Sequence, residues 1–410
     1  MSPLHIAAIT FDWYPFHLRV RRLAEAAVDA GYEVDVICLR QSHEKRYEVY
    51  NGVYIYRMPM NRSFGPSLPV AILSWCWFML LAGVTLTRLH LRHPYDVIHV
   101  HNMPDFLVFS TLLPKLLGAK IILDVQDVSP ELIAAKAQGP LRELLRHLAM
   151  WEERFSTAFS DHVVTVGWPF EELLLQRGVA KKKLTNILNS ADPKIFPPIS
   201  RQPVPIESNK DARPFSIMYH GNLAKRNGLD TAIRALALAR RTVPHLRLDI
   251  RGWGEEWPVL QQLAVDLEVG DHVVFSSAGP AEELADFILH GDVGIIPYQC
   301  DGFMELVLPT KAYEFAWMRR PIIASDTRAL RAMFRPESIV LCDSTKPESF
   351  AEAIIDLYHH PEKRAQLVAN AAQDYKPYRW EREAERYIQL LAFLARKPLQ
   401  ERRPIVSGKI

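Results

Sequence analysis

The chain has 410 residues, of which 49% are hydrophobic and 23% charged, with a formal net charge of +2. That length implies two or three domains, each able to bury a core, and the near-neutral balance excludes a global nucleic-acid binder. Cys38, Cys76, Cys300 and Cys342 stand far apart, with neither metal-type spacing nor a disulfide framework, and read as buried thiols of a reducing compartment.

Strand and helix patterns alternate from the N-terminus. MSPLHIAAITFDWYP lacks a basic region before its apolar residues, so no cleaved signal is expected, and residues 5–11 form a first strand. A helical pattern over 20–30 closes at Gly31, and the strands Glu33–Leu39 and Val53–Met58 follow. Residues 63–87 carry no charge. Their length would span a bilayer. The strands before and after them read as one parallel sheet, however, which a single crossing would split between compartments. Two readings stay open: a helix buried on the sheet, or a helix in the lipid interface, with Trp75 and Trp77 at headgroup level and Arg88, His90 and Arg92 just beyond. Arg19, Arg21, Arg22 and Lys181–Lys183 are further candidates for anion or membrane contact.

VIHVH (Val97–His101) is the next strand, followed by a helix over 106–117, strand 120–124, helix 141–160 and strand 162–166. Residues 193–214, PKIFPPISRQPVPIESNKDARP, hold six prolines and neither structural period. They read as an interdomain linker. The alternation restarts with strands at 215–220, 246–251, 272–276, 293–297 and 321–324. A helix over 377–396 and a loose tail end the chain. The expected class is α/β: two doubly wound Rossmann-like domains facing a cleft. Residues 1–195 form the first domain, 196–213 the linker and 214–376 the second. A helix at 377–397 returns to the first domain, before the tail at 398–410.

Three stretches carry chemistry. In YHGNLAKRNGLD, Gly221 and Asn222 end a strand, Gly228 precedes a helix, and Lys225 and Arg226 between them bring cations to a diphosphate. RGWGEEW has a GxG, but Trp257 stands at the third glycine position, so a NAD-type site is not supported. In ELVLPTKAYEFAWMRR, from Glu305 to Arg320, Pro309 suits a first helical turn. Lys311 and Glu314 then share a face, where they suit phosphates and ribose hydroxyls or form a surface ion pair. In the first half, HVHNMPD and DVQDVSPE lie at strand ends. Asp105 and Asp127 suit hydroxyl recognition, and one of His99 and His101 is structural. Asp124, Asp127 and Glu131 lack a DxD pair or a His/Cys cluster, so no metal site is expected.

HVHNMPDFLVF, LDVQDVSPE, GN…RNGLDTAIRALA, GDVGIIPY and LPTKAYEFAWMRRPIIAS, in this order over residues 5 to about 395, resemble the bacterial family 4 glycosyltransferases of GT-B fold that build cell-surface polysaccharides. The resemblance implies retaining transfer from a UDP- or GDP-linked sugar to a lipid-linked or growing glycan. It needs neither a divalent metal nor another cofactor. Donor binding falls to Gly221, Asn222, Lys225, Arg226, Lys311 and Glu314, and acceptor binding to Arg19, His101, Asp105 and Gln126. Arg226, Lys311, Glu305 and Asp127 are the catalytic candidates. The family's two glutamates are separated by seven residues, whereas here Leu306 stands at that separation from Glu314 and Glu305 one position earlier. Gln126 replaces the first domain's common histidine. DWYPFHLRVRR replaces a glycine-rich loop, with Arg19 offered to an acceptor phosphate. Alternatives are a sugar-nucleotide epimerase or phosphorylase, or an inactive scaffold. The expected location is cytoplasmic, peripheral on the inner face of the membrane.

Overall fold

The computed structural model describes residues 3–60, 68–136, 139, 141–198, 213–243 and 245–397. Breaks at Leu188/Asn189 and Trp380/Glu381 divide the chain into two compact units. Most of the expected linker, and the tail at 398–410, lie outside the described residues.

The first unit is built on eight strands: β1 (His5–Trp13), β2 (Glu33–Leu39), β3 (Tyr47–Tyr50), β4 (Val53–Met58), β5 (Val97–His101), β6 (Lys120–Val125), β7 (His162–Thr165) and β8 (Leu184–Asn186). Their order is β3-β4-β2-β1-β5-β6-β7-β8, parallel except for the β3–β4 hairpin. Near-continuous apolar runs in β1, β2 and β6 suit a sheet covered on both faces. The hairpin turns at Asn51 and Gly52, with φ of 48° and 79°, the backbone that Asn-Gly favours. The order in which strands are added reverses between the parallel neighbours β1 and β5, opening a crevice at their carboxyl ends.

The helix Leu68–Arg92 lies against this sheet by one face only. Phe78, Ala82 and Leu86 are buried, with the Phe78 ring 5.2 Å from Phe11, whereas Leu73, Trp77, Leu80 and Val84 are exposed. The helix is long and apolar enough to cross a membrane, but its inner face is core. His90, which the lipid-interface reading set just beyond the headgroup level, is buried, and its Nδ1 accepts from the Tyr95 amide. Cys76 and Cys300 are exposed, which corrects the reading of all four thiols as buried. The helix Trp380–Ala395 joins this unit, with Tyr387 Oη 3.0 Å from His99 Nδ1 and Glu383 accepting from the Leu188 amide.

The second unit has six parallel strands: β9 (Phe215–Asn222), β10 (Leu246–Trp253), β11 (Val273–Ser277), β12 (Val293–Ile296), β13 (Ile322–Ser325) and β14 (Val340–Cys342), in the order β11-β10-β9-β12-β13-β14. Its reversal point lies between β9 and β12. Leu236, Leu248, Ile250 and Phe350 belong to the core that clamps the sheet.

Candidate functional site

In the second unit the reversal point is shaped by close backbone packing. Gly228 has φ +65°, and a Cβ there would lie 1.8 Å from the Pro297 carbonyl oxygen. A Cβ on Gly252 would lie 1.9 Å from the Gly221 carbonyl oxygen. These glycines allow the ends of β9, β10 and β12 to approach as side chains would not. Asn227 is buried and donates to the Asn222 carbonyl, while the Leu223 amide donates to Trp253, which fixes the loop after β9.

The helix Thr310–Trp317 lies close on the same sheet, because Gly294 leaves room for the Phe315 ring: a Cβ there would come within 2.4 Å of it. Lys311 is one turn before Phe315 and so reaches the carboxyl end of β9, where a Cβ on Gly221 (φ +123°) would lie 3.7 Å from its Nζ. Lys311 is buried, donates to Tyr298 Oη at 3.0 Å and lies 4.8 Å from the centre of the Tyr219 ring. Burial opposes its charge, but the oxygens of Tyr219, Tyr298 and Glu314 outweigh that and hold the ammonium above the ordinary lysine range. Glu314 Oε2 lies 3.1 Å from His220 Nε2. Burial, with Lys311 and Arg251 adding, pulls His220 down to about 3, so its ring is neutral. The unit thus presents a buried cation, a carboxylate and a bare glycine backbone at one strand end, a combination suited to a nucleoside diphosphate.

In the first unit the carboxyl ends of β5 and β6 carry a buried polar cluster. Asp124 receives Arg19 Nε at 2.7 Å and Arg19 Nη2 at 2.8 Å, and His101 Nδ1 lies 2.8 Å from its Oδ2. Burial would raise the Asp124 carboxyl, but Arg19 and His101 hold it far below the usual carboxylate range. His99, whose ring lies 4.2 Å from that of His101, is driven well below an ordinary histidine by burial. His99, His101 and Asp124 converge closely enough to suggest a metal ligand set, but the Arg19 fork occupies both Asp124 oxygens.

Residues 17–189 match the family described as "Glycosyl transferase 4-like domain", and residues 200–374 match "Glycosyl transferases group 1". The chain belongs to the family 4 glycosyltransferases of GT-B fold. Over 378 residues the enzyme is 24% identical to a D-inositol 3-phosphate glycosyltransferase of Paenarthrobacter aurescens, covering 89% of each chain. Over 177 residues it is 30% identical to a GDP-mannose-dependent alpha-(1-6)-phosphatidylinositol monomannoside mannosyltransferase of Mycolicibacterium smegmatis, covering 42% of this chain and 46% of that one. Its fold is that of sucrose-phosphate synthase from Thermosynechococcus elongatus, with a TM-score of 0.75 at 19% identity over 95% and 99% of the two chains. Anabaena HepE, solved in complex with UDP-glucose, gives a TM-score of 0.69 at 14% identity over 95% and 100%.

Within this glycosyltransferase, Lys311 and Glu314 share one helix as their spacing predicts and Gly221 lies beside the Lys311 ammonium, but Pro309 is the residue before the helix, not in its first turn. Asn222 contributes its carbonyl to the loop, accepting from Tyr219 Oη and Asn227. Lys225 is exposed. Arg226 is half-buried over the Phe303 ring at 5.9 Å. Glu305 accepts the Arg328 amide at the start of the helix Arg328–Met333, a capping contact.

In the first unit several expectations change. Arg19 is buried in its fork with Asp124 and also donates to the Ile187 carbonyl, so it is a structural ion pair and not an open acceptor-phosphate site. His101 and Asp105 are likewise buried, and Asp105 accepts from Asn102. Gln126 is half-buried, 3.2 Å from His101, and its amide donates to Asn102. Asp127 is half-buried and its carbonyl accepts from Asn102. Arg21 pairs with Glu25, Arg22 is buried, and Lys183 donates to the Thr157 carbonyl, which removes most of the expected basic clusters from solvent. The residues missed by the sequence reading are Tyr219, His220 and Tyr298. Each stands on or just after a strand already recognised, so the apolar pattern hid their polar ends.

Proposed function

We propose that the enzyme transfers a sugar, with retention at the anomeric carbon, from a UDP- or GDP-linked donor to a lipid-linked or growing cell-surface glycan, working on the cytoplasmic face of the membrane. The observation that carries this reading is the charged Lys311 ammonium beside the side-chain-free Gly221 at the reversal point of the second sheet. As the glycosidic bond to the diphosphate breaks, negative charge grows on the departing phosphate. Lys311, Arg226 and the amides at the start of Thr310–Trp317 stabilise that charge more in the transition state than in the ground state. These groups replace a divalent metal in the scheme, and no organic cofactor is required. Glu314 accepts ribose hydroxyls. The names of the Mycolicibacterium and Anabaena proteins support a GDP- or UDP-sugar, and the former supports a lipid-borne acceptor.

The test is a thermal-shift panel of UDP, GDP, ADP and their sugars. The stabilising sugar nucleotide is then offered with a lipid-linked glycan in the presence of EDTA. Stabilisation by UDP or GDP and transfer that survives chelation are expected. Stabilisation by neither nucleotide would refute the donor assignment, loss of transfer in EDTA the metal-free scheme, and an inverted product the retention.

A further inference from the structure

The helix Arg142–Phe159 is amphipathic in the sense opposite to that of an ordinary surface helix. Leu141, Leu144, Leu148, Trp151 and Phe155 recur at helical spacing and are each 55–61% exposed, while the side turned inward includes Glu153 and Ser156, both buried. The inward acid is accounted for by Arg177, which donates to Glu153 at 2.7 Å. The outward apolar stripe has no such account among the described residues of the unit. The stripe also does not stand alone. Phe159 packs edge-on against Phe109 at 5.1 Å, and Phe106 of the same segment lies 6.4 Å from Trp75 of the helix Leu68–Arg92, whose own outer face is apolar. A contiguous exposed apolar area of this kind marks an interaction surface.

We propose that the helix Arg142–Phe159 is a membrane-docking element that lies in the headgroup region of an anionic bilayer. The proposal rests on the membrane-surface reading above and adds to it the element that makes contact. Charge selects this partner. Arg142 and Arg154 are exposed towards the two ends of the stripe, and Glu143 is the one exposed carboxylate of the helix and is paired with Arg146. Arg154 lies 5.7 Å from the Trp151 ring centre, placing a cation beside an aromatic group of the type that settles at headgroup depth. A second copy fits less well, because a two-fold pairing of this face would set Arg142 and Arg154 of one chain against arginines of the other.

The experiment is flotation of the full chain with vesicles of phosphatidylcholine alone or mixed with phosphatidylglycerol. A variant carrying Leu144→Ser, Leu148→Ser, Trp151→Ser and Phe155→Ser is compared with one carrying Leu73→Ser, Trp77→Ser and Leu80→Ser. Circular dichroism and urea denaturation check that the altered unit stays folded and are independent of the outcome. The expected result is binding to the anionic vesicles that falls roughly tenfold or more in the first variant. Undiminished binding in that variant, with loss in the second, overturns this assignment and leaves the membrane reading intact. No binding of the unaltered chain to either vesicle overturns both. Equal binding to both vesicles overturns the role of charge, and a dimer that the first variant converts to monomer overturns the choice of partner.

Discussion

Lys311 donates its ammonium to the hydroxyl of Tyr298 at 3.0 Å, just after the carboxyl end of β12, with the backbone of Gly221 alongside. The phenol orients the ammonium and leaves donors for an incoming phosphate. Lys311→Met keeps the volume and removes the charge. It is expected to lower turnover by about 10²–10³-fold, in line with loss of one preorganised charge-stabilising group. Tyr298→Phe, which removes only the orienting hydroxyl, should cost about tenfold or less. Donor turnover and calorimetric affinity for the nucleoside diphosphate are the measurements, and unchanged values for Lys311→Met would take Lys311 out of the donor site.

Gly228 offers a test of the packing that brings β9 and β12 together. Gly228→Ala must tolerate both a positive φ and a Cβ 1.8 Å from the Pro297 oxygen. Gly178→Ala is the control: Gly178 has φ +93°, yet nothing lies within 4 Å of its Cβ position. The control should lose roughly 1–2 kcal/mol, the strain of a left-handed backbone alone. Gly228→Ala should lose more, and nucleotide binding with it. Equal losses in urea denaturation would mean that the clash relaxes without consequence.

The alternation of apolar strands and helical segments made the architecture legible, because parallel strands buried on both faces carry their signal in composition alone. The central strands β2, β4 and β5 keep their expected bounds. The edge strand β3 escaped notice, although Tyr47–Tyr50 precedes an Asn-Gly turn, because its burial is only partial and its apolar period weak. The donor residues were legible for a local reason: Lys311 and Glu314 are three apart on one helix, so spacing alone puts them together. Arg19 and Asp124 are 105 residues apart. No local pattern announces that pairing, and Arg19 therefore read as a free cation.

That ion pair is itself testable. Arg19 and Asp124 have side-chain exposures of 4% and 0%, so Arg19→Met strands a buried carboxylate beside His101. The expected loss is about 3–5 kcal/mol in chemical denaturation, with part of it recovered when Asp124→Leu is added. If Arg19→Met instead left stability unchanged and raised the KM for acceptor alone, the residue would return to the acceptor-phosphate role that the sequence suggested.

Glu152 provides a prediction with a definite pH sign. Burial, reinforced by the nearby Asp105, pushes its carboxyl up to about 9, and burial raises Glu153 to about 7 and Asp105 to about 6. The folded protein therefore keeps a proton on Glu152 that the unfolded chain releases near the ordinary glutamate pKa of about 4.3. Because the folded state binds more protons across this interval, stability falls as pH rises from about 4.5 towards 9. Glu152→Gln mimics the protonated acid and keeps an oxygen to accept the Phe106 amide. It should raise the melting temperature by roughly 2–4 °C for each kcal/mol relieved, a gain large at pH 8 and small at pH 5. Melting curves of both proteins at the two pH values decide the matter, since the same gain at both would show that proton uptake by Glu152 contributes nothing to the difference.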